Sequence, residues 1–287
     1  MKRSRLSFWC FVAPSLLAFI IVVIIPLFFG IYYSFTDWNG INADVNFTGL
    51  RNYQKIFTDN HFRGSFFFTL KFTIVSVLII NLLGFALALL VTRGLKLSNV
   101  FRTIFFMPNL IGGIILGFIW QFIFISVFGA IGEYTGWNSL MGWLATTETS
   151  FWGLVILMAW QLSGYVMVIY VAAIQGIPGE LVEAAQIDGA NSWQRIRHIV
   201  LPLVRPAFTV SLFLTLSNSF KLYDQNLSLT AGGPARTTEM LAMNIYNTAF
   251  SFNRMGEAQA KAVIFLIIVG IFTLTQVYVS KKGEVEM

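Results

Sequence analysis

Residues 8–35 read FWCFVAPSLLAFIIVVIIPLFFGIYYSF, and none of these 28 side chains carries a charge. A helix needs about 20 apolar residues to cross the roughly 30 Å hydrocarbon core of a bilayer. The run is therefore long enough for one membrane-spanning helix. A short basic segment, residues 2–5, precedes it as in a signal peptide, but the run is too long for one and ends without a small-residue cleavage site. We therefore predict an uncleaved first span.

The composition of the whole chain also indicates a membrane protein. Of its 287 residues, 56% are hydrophobic and 11% are charged, whereas soluble domains carry roughly 25% charged residues. The single cysteine excludes a disulfide framework, and the two histidines are too far apart in sequence to suggest a metal cluster. The net charge of +6 is not concentrated in any run of five basic residues, so we predict no nucleic-acid binding.

Six segments are apolar and long enough, or nearly so, to cross a membrane. The sequence therefore predicts an all-α polytopic integral membrane protein with one transmembrane domain over residues 1–287. The predicted spans are residues 8–35, 66–92, 103–128, 151–175, 207–223 and 260–280.

The distribution of lysine and arginine predicts the orientation of these spans, because positive residues resist translocation. With the amino end in the cytoplasm, the inside segments hold eleven Lys and Arg residues and the outside segments hold five. Both termini are therefore predicted to be cytoplasmic. Lys71 and Lys261 fall near outer span ends, where we expect their long side chains to reach toward water.

The longest inside loop, residues 176–206, lies between spans four and five and has the local chemistry of two short helices. Pro178 suits a first helical turn, and Glu180 lies near the positive end of that helix. Gly189 can adopt the left-handed conformation that ends a helix. Ser192 can cap a second helix, which must stop near Pro202.

The first of these helices presents a narrow, low face. Leu181, Ala184, Ala185 and Asp188 share it by their i, i+3, i+4, i+7 spacing. Small side chains on such a face permit close approach to another surface.

This loop resembles the EAA loop of binding-protein-dependent ABC importer permeases. The similarity extends along the chain to residues 13–15, 33–38, 105–108 and 232–234. It is closest to the first permease subunit of the maltose-type carbohydrate branch. This chain lacks the large outside insertion of the maltose permease itself. The residues that match the loop at every fixed position and spacing are Glu183, Ala184, Ala185, Gly189, Ile199, Leu201 and Pro202.

The resemblance implies that the segment from Glu180 to Ile199, including Asp188, docks on a cytoplasmic ATPase. It also implies a second permease subunit, an ATPase dimer, an extracellular solute-binding protein and a sugar substrate as partners, in a bacterial or archaeal cytoplasmic (inner) membrane. This chain contains no Gly-Lys dipeptide and hence no Walker phosphate loop. We therefore expect it to be no enzyme and to bind no cofactor, with ATP and Mg held by the partner ATPase.

In the same family the transient sugar site lies on spans four and five. Polar groups inside spans are costly and usually face a bundle interior or a cavity. We count residues without gaps from Glu183 of the loop motif to Gly232-Gly233-Pro234 and compare the result with the sugar site of the family. Tyr165 then matches an aromatic position of that site and Thr215 a hydroxyl position. Asn218 and Ser219 fall where the family has an aromatic residue and an amide. The predicted substrate path comprises Gln161, Tyr165, Thr215, Asn218, Ser219 and Leu222.

Other interpretations of these residues remain open from the sequence. Serine and threonine hydroxyls in spans commonly bond to their own helix, and Lys221 and Asp224 are close enough to pair with each other or to touch substrate. An ion-coupled secondary transporter of a small polar solute is the alternative function, although it would need intramembrane carboxylates. A membrane-embedded enzyme lacks the required histidines or acids at depth.

Overall fold

The computed structural model describes residues 2–42, 44–94 and 96–282, and the predicted cytoplasmic chain ends beyond them lie outside the described residues. Within this part the regular secondary structure is helical, apart from one isolated antiparallel bridge between Thr36 and Phe47. The α-helices are α1 (Lys2–Phe19), α2 (Ile25–Ser34), α3 (Arg51–Thr58), α4 (Asn60–Val91), α5 (Ser98–Phe106), α6 (Gly113–Phe122), α7 (Phe128–Thr135), α8 (Thr147–Gln175), α9 (Gly179–Ile187), α10 (Ser192–Arg195), α11 (Leu201–Leu203), α12 (Arg205–Phe220), α13 (Asp224–Leu229), α14 (Leu241–Tyr246) and α15 (Met255–Lys281).

The predicted all-α membrane architecture is confirmed. Five helical runs in the described residues are long and apolar enough to cross a membrane, and a sixth span results if the bent pair Ser192–Leu203 and Arg205–Phe220, which meet at 69°, is counted as one. Short π turns join several of the helices without ending the run. The five runs are Phe8–Ser34, Asn60–Val91, Gly113–Thr135, Thr147–Gln175 and Met255–Lys281.

The third and fifth spans differ from the predicted bounds. The third was expected at residues 103–128, but the helix stops after Phe106, continues as a 3₁₀ turn over Met107–Leu110 and restarts at Gly113. Pro108 contributes to the irregular turn because it has no N–H to donate to the carbonyl four residues back. The backbone leaves the helical conformation at Ile111 and Gly112, which are both extended. The fifth was expected to reach residue 223, but α12 ends at Phe220 and the short helix α13 follows.

The chain forms two compact units, residues 1–62 with 244–267 (unit 1) and residues 63–243 with 268–287 (unit 2). The apolar core of unit 2 surrounds α8, whose Leu154, Leu157, Val166 and Met167 are fully buried. This burial explains why α8 is apolar on all sides instead of amphipathic.

Glycines allow the helices of unit 2 to approach one another closely. A Cβ on Gly84 would lie 2.6 Å from Cγ1 of Val166, and one on Gly164 would collide with the backbone carbonyl of Phe105. Gly113 and Gly117 on α6 do the same against α13. Because membrane helices associate through small residues, the sequence predicts a packing role for Gly84, Gly112, Gly113 and Gly117. The structure confirms it for Gly84, Gly113 and Gly117 but not for Gly112, where an added Cβ would meet nothing within 4 Å.

A buried hydrogen-bond network joins α4, α8 and α12 within unit 2. The Tyr170 hydroxyl donates to Oδ1 of Asn81 at 2.8 Å and accepts from Oγ of Ser211 at 2.7 Å. Nδ2 of Asn81 donates to Oγ1 of Thr215 at 3.0 Å. All four side chains are at most 6% exposed, so the network satisfies polar groups that lipid could not.

Lys261 is buried in unit 1, which corrects the expectation that it reaches toward water. It is 2% exposed, and its Nζ lies 2.9 Å from Oδ2 of Asp59, 3.5 Å from Oε1 of Glu257 and about 3 Å from the side-chain oxygens of Asn244 and Thr248. A buried ammonium is stable only when such partners surround it. Asp59 is 202 residues away from Lys261 in sequence, so the charge pattern alone could not reveal this contact.

The carboxyl group of Asp59, outside the spanning helix, responds to this lysine. Burial by itself would raise the pKa of Asp59, but the hydrogen bond and charge of Lys261, with the backbone N–H groups of Phe62 and His61, hold that pKa below its ordinary value. A lowered folded-state pKa gives stabilisation that is present above the ordinary carboxyl pKa of about 4 and is lost as the pH falls through the folded value.

Replacing Lys261 should therefore destabilise the protein far more than replacing Lys71. We expect Lys261→Met to lower the free energy of unfolding by about 3 kcal/mol, because two carboxylates lose their buried partner. Lys71→Met is the matched control: Lys71 is exposed and lies 4.6 Å from the ring centre of Phe151, so about 0.5–1 kcal/mol is expected. Denaturation in detergent measures both values, and equal losses would contradict the buried cluster. In acid, Asp59→Asn should flatten the pH dependence of unfolding.

Candidate functional site

The loop after α8 begins with α9, which lies on the surface of unit 2. None of its residues is buried, and Glu183 and Ala184 are exposed. Pro178 is the N-cap residue, one position before the predicted first turn, and Glu180 is in that turn. The exposed side chains of α9 include two large apolar ones, Leu181 (46% exposed) and Ile187 (87% exposed). Trp193 on α10 is also 65% exposed.

The end of α9 has the geometry predicted from Gly189. This residue has φ of +78°, and its N–H donates to the carbonyl of Gln186 at 3.0 Å. The N–H of Ala190 donates to the carbonyl of Ala185 at 2.9 Å. This pair of bonds is the Schellman motif, in which a left-handed residue closes the last carbonyls of a helix. Glu183, Ala184 and Ala185 thus lie on a helix with a defined end, and Asp188 is its C-cap residue.

The second loop helix starts one residue earlier than expected. Asn191, not Ser192, is its N-cap: its Oδ1 accepts from the N–H of Gln194 at 2.9 Å, and Oε1 of Gln194 accepts from the N–H of Asn191 at 2.7 Å. This reciprocal pair is a capping box. Ser192 instead occupies the first helical position, where its hydroxyl accepts from Nη2 of Arg195.

The loop ends at the sharp bend between α11 and α12. Ile199 lies in a π turn over Ile196–Val200, and Leu201 and Pro202 form α11 immediately after it. Pro202 has no N–H to donate to the carbonyl four residues back, a condition that favours such irregular turns. The helix ends at Leu203, which confirms the predicted stop near Pro202.

A polar cavity of about 290 Å³ lies in unit 2, near the lower end of the roughly 300–1,000 Å³ typical of ligand pockets. Four side-chain amides, two charged groups and a tyrosine line it beside three apolar side chains. The lining residues are Asn109, Met158, Gln161, Leu162, Asn218, Lys221, Leu222, Tyr223, Asp224 and Gln225.

The structure brings three of the six predicted path residues to this cavity. Gln161, Asn218 and Leu222 line it. Leu222 lies two residues beyond the end of α12, so it does not share a helix face with Asn218. Asn218 is exposed, and its Nδ2 donates to the carbonyl of Leu214 on its own helix at 2.9 Å.

The other three predicted residues do not line the cavity. Thr215 belongs to the buried network and also donates to the carbonyl of Ser211 at 2.7 Å, so its hydroxyl bonds to its own helix and to a neighbouring one. Ser219 is fully buried, and within the described part of the chain its hydroxyl has no hydrogen-bond partner. Tyr165 is half-buried on α8, with its ring centre 6.4 Å from that of Phe106.

Lys221 and Asp224 both line the cavity and are both exposed. Among the ion pairs of the described residues there is none between them. They therefore present one positive and one negative group to whatever enters the cavity.

Sequence reasoning missed Asn109 and Gln225. Asn109 lies in the 3₁₀ turn that interrupts the third span, and Gln225 lies in α13, where the fifth span was expected to have ended. Nε2 of Gln225 donates to Oε1 of Gln161 at 2.8 Å. The available signal was Pro108, since a broken membrane helix commonly borders a cavity.

Unit 1 has a smaller cavity of about 160 Å³, lined by Arg51, Lys55, Arg254 and Asp37 among others. The backbone N–H and side-chain amide of Asn46 hydrogen-bond Asp37 and hold the pKa of that carboxyl below its ordinary value. Across the described residues, no group of three His, Cys, Asp or Glu side chains could hold a metal ion.

Comparison with known proteins identifies relatives over the full length of the chain. The family described as "Binding-protein-dependent transport system inner membrane component" matches residues 80–282. The chain is 58% identical to the "Probable starch degradation products transport system permease protein AmyD" of Thermoanaerobacterium thermosulfurigenes, over 99% of this chain and 97% of that one. It is 32% identical to the "Multiple sugar-binding transport system permease protein MsmF" of Streptococcus mutans, over 96% of both chains.

A solved structure supports the fold. It is described as a bacterial ABC transporter involved in the import of the acidic polysaccharide alginate, and it matches with a TM-score of 0.84 over 98% of this chain and 96% of that chain. The sequence identity is 22%, so this similarity concerns the fold alone.

The left-handed turn after α9 gives a direct test of the loop geometry. Gly189→Ala should cost about 1–2 kcal/mol through backbone strain, and amide hydrogen exchange in α9 should become roughly 5–30 times faster. Gly179→Ala is the matched control, because an added Cβ meets nothing within 4 Å at either glycine but only Gly189 has a positive φ. Equal exchange in the two variants would contradict the predicted role of the turn.

Proposed function

The chain belongs to the family of binding-protein-dependent transport system inner membrane components, and we propose that it forms half of the membrane path for a neutral sugar or oligosaccharide. It is a permease component of an ABC importer and not itself a catalyst. A solute-binding protein, a second permease and ATPase subunits are its partners in this family. The cavity in unit 2 carries the proposal about the substrate.

The cavity has the chemistry that a sugar requires. A sugar presents hydroxyl groups, each of which can donate one hydrogen bond and accept two, and an apolar ring face. The amides of Gln161, Asn218 and Gln225 supply donors and acceptors, while Met158 and Leu162 supply an apolar wall. Lys221 and Asp224 cancel in charge, which favours a neutral cargo over an acidic one. The relatives named for starch degradation products and multiple sugars support the same substrate class.

The exposed loop supports coupling to a separate ATPase. Ile187 and Trp193 are large apolar side chains left open on the surface of unit 2, and such exposed apolar groups commonly mark interaction sites. Between them lies the turn at Gly189, so both helices present side chains to the same partner. Glu183, Ala184, Ala185, Asp188, Ile199, Leu201 and Pro202 complete the proposed coupling surface. ATP and Mg would be bound by the partner and not by this chain.

We place this loop and both chain termini in the cytoplasm. The eleven-to-five distribution of Lys and Arg across the predicted inside and outside segments supports this orientation. The secondary-transporter alternative finds little support, because Asp224 and Glu257 lie near helix ends and no carboxylate lines the interior of α8 or α12 in the described chain.

Two substitutions should separate coupling from transport in the assembled importer. Glu183→Lys reverses the charge presented to the ATPase, so we expect loss of ATPase co-purification or of ATP hydrolysis stimulated by the loaded binding protein. Asn218→Ala should leave the complex assembled but lower sugar uptake, because it removes one amide from the cavity. Each variant is the control for the other, and normal uptake with Glu183→Lys would contradict the coupling role.

Thiol labelling in intact cells tests the orientation. In a chain carrying Cys10→Ser, a single cysteine at position 236 should react with an impermeant reagent, whereas one at position 183 should react only after the cells are opened. Labelling of position 183 from outside would reverse the proposed topology.

A further inference from the structure

A pair of side-chain amides joins two helices at the wall of the cavity. Nε2 of Gln225 donates to Oε1 of Gln161 at 2.8 Å, and Nε2 of Gln161 donates to the backbone carbonyl of Ile111 at 3.3 Å. Gln161 is 8% exposed. The three groups belong to α13, to α8 and to the break in the third span, so this short chain of bonds connects three separate elements.

The segment that Gln225 holds forms one side of the cavity. All five residues from Lys221 to Gln225 line it, and the first three of them lie outside any helix. Their position therefore depends on how α13 is attached. α6 packs against this segment at Gly113, and the hydrogen bond from Gln225 joins it to α8.

The other end of α13 has a separate attachment that does not border the cavity. Nε2 of Gln121 on α6 donates to the carbonyl of Leu229 at 3.1 Å. Gln121 is absent from the lining of the cavity. Asn226 of α13 also bonds away from the cavity, to the backbone carbonyl of Thr238 and the N–H of Met240. Of the side-chain amide contacts of α13, the one made by Gln225 is at the lining of the cavity.

The amide pair also matches the bonding capacity of a sugar hydroxyl. Oε1 of Gln161 accepts and Nε2 of Gln225 donates, while one hydroxyl can donate and accept at once. A hydroxyl placed between them replaces both halves of the bond. An apolar group in the same place would leave Oε1 of Gln161, a buried residue, and Nε2 of Gln225 without partners, which is costly.

We propose that Gln225 and Gln161 together determine the selectivity of the cavity for hydroxyl-bearing cargo. In the empty protein the two amides satisfy each other and hold the wall formed by residues 221–225. During passage a sugar hydroxyl takes the place of their mutual bond, and the wall moves without loss of hydrogen bonding. Gln225 is thus a positioning residue in the empty state and a cargo contact during transport. This inference rests on the proposed function.

The test uses the whole importer in proteoliposomes, with maltotriose delivered by its solute-binding protein. Gln225→Met and Gln161→Met keep the side-chain length but remove the amides, so each should lower the maximal uptake rate about tenfold. The double variant should be no slower than either single one, because the two residues act as a unit. ATP hydrolysis should fall less than uptake, so that fewer sugars are moved per ATP.

Gln121→Met is the matched control, because it removes a side-chain amide bond to α13 that does not border the cavity. We expect it to change uptake less than twofold and to leave the number of sugars per ATP unchanged. If Gln225→Met fails to assemble, Gln225→Asn replaces it, since it is one methylene shorter and cannot reach Gln161.

Three results would overturn the inference. The first is wild-type uptake by the Gln225 variant, and the second is a loss of uptake in Gln121→Met as large as that in Gln225→Met. The third is a roughly hundredfold loss of uptake in the double variant, which would mean that the two residues act independently. A wild-type importer without ATP-dependent maltotriose uptake would instead contradict the proposed function, and the inference with it.

Discussion

Inside a bilayer each backbone N–H and C=O must find a partner within the protein, because lipid offers none. This constraint makes the chain helical and makes every interruption of a helix a local problem. The structure solves that problem repeatedly with side-chain amides. Gln161 donates to the free carbonyl of Ile111 at the break in the third span, and Gln121 donates to that of Leu229 at the end of α13. In unit 1, Asn52 does the same for the carbonyls of Ser34 and Thr36.

The same constraint governs the buried polar side chains. Tyr170 joins Asn81 and Ser211 across three helices, so the polar groups of this network have defined partners in the apolar interior. Lys261 is a more extreme case, since its full charge is balanced by Asp59 and Glu257. These contacts fix which helices are neighbours inside each unit. They also explain why Thr215 serves helix packing and does not line the cavity.

The two parts of the candidate site differ in how they are built. The loop over α9 and α10 is made of local interactions: the Schellman turn at Gly189 and the capping box at Asn191 each involve residues at most five apart. The cavity is made of three segments that are far apart in sequence, represented by Asn109, Gln161 and Gln225. Local geometry keeps the loop's shape independent of the cavity. A change in one can therefore be tested without dismantling the other.

The sequence by itself determined the helical membrane class, most of the spans and the turn at Gly189, because apolar length, proline and glycine act within a few residues of themselves. It also located the loop motif, whose roles stay predictions, and three residues of the cavity. Only the tertiary structure decided that the third span restarts at Gly113, that Lys261 is buried and that Gln225 meets Gln161. Those outcomes depend on which distant groups come within about 3 Å of one another, a distance at which hydrogen bonds form. Periodicity along one helix carries no information about such partners.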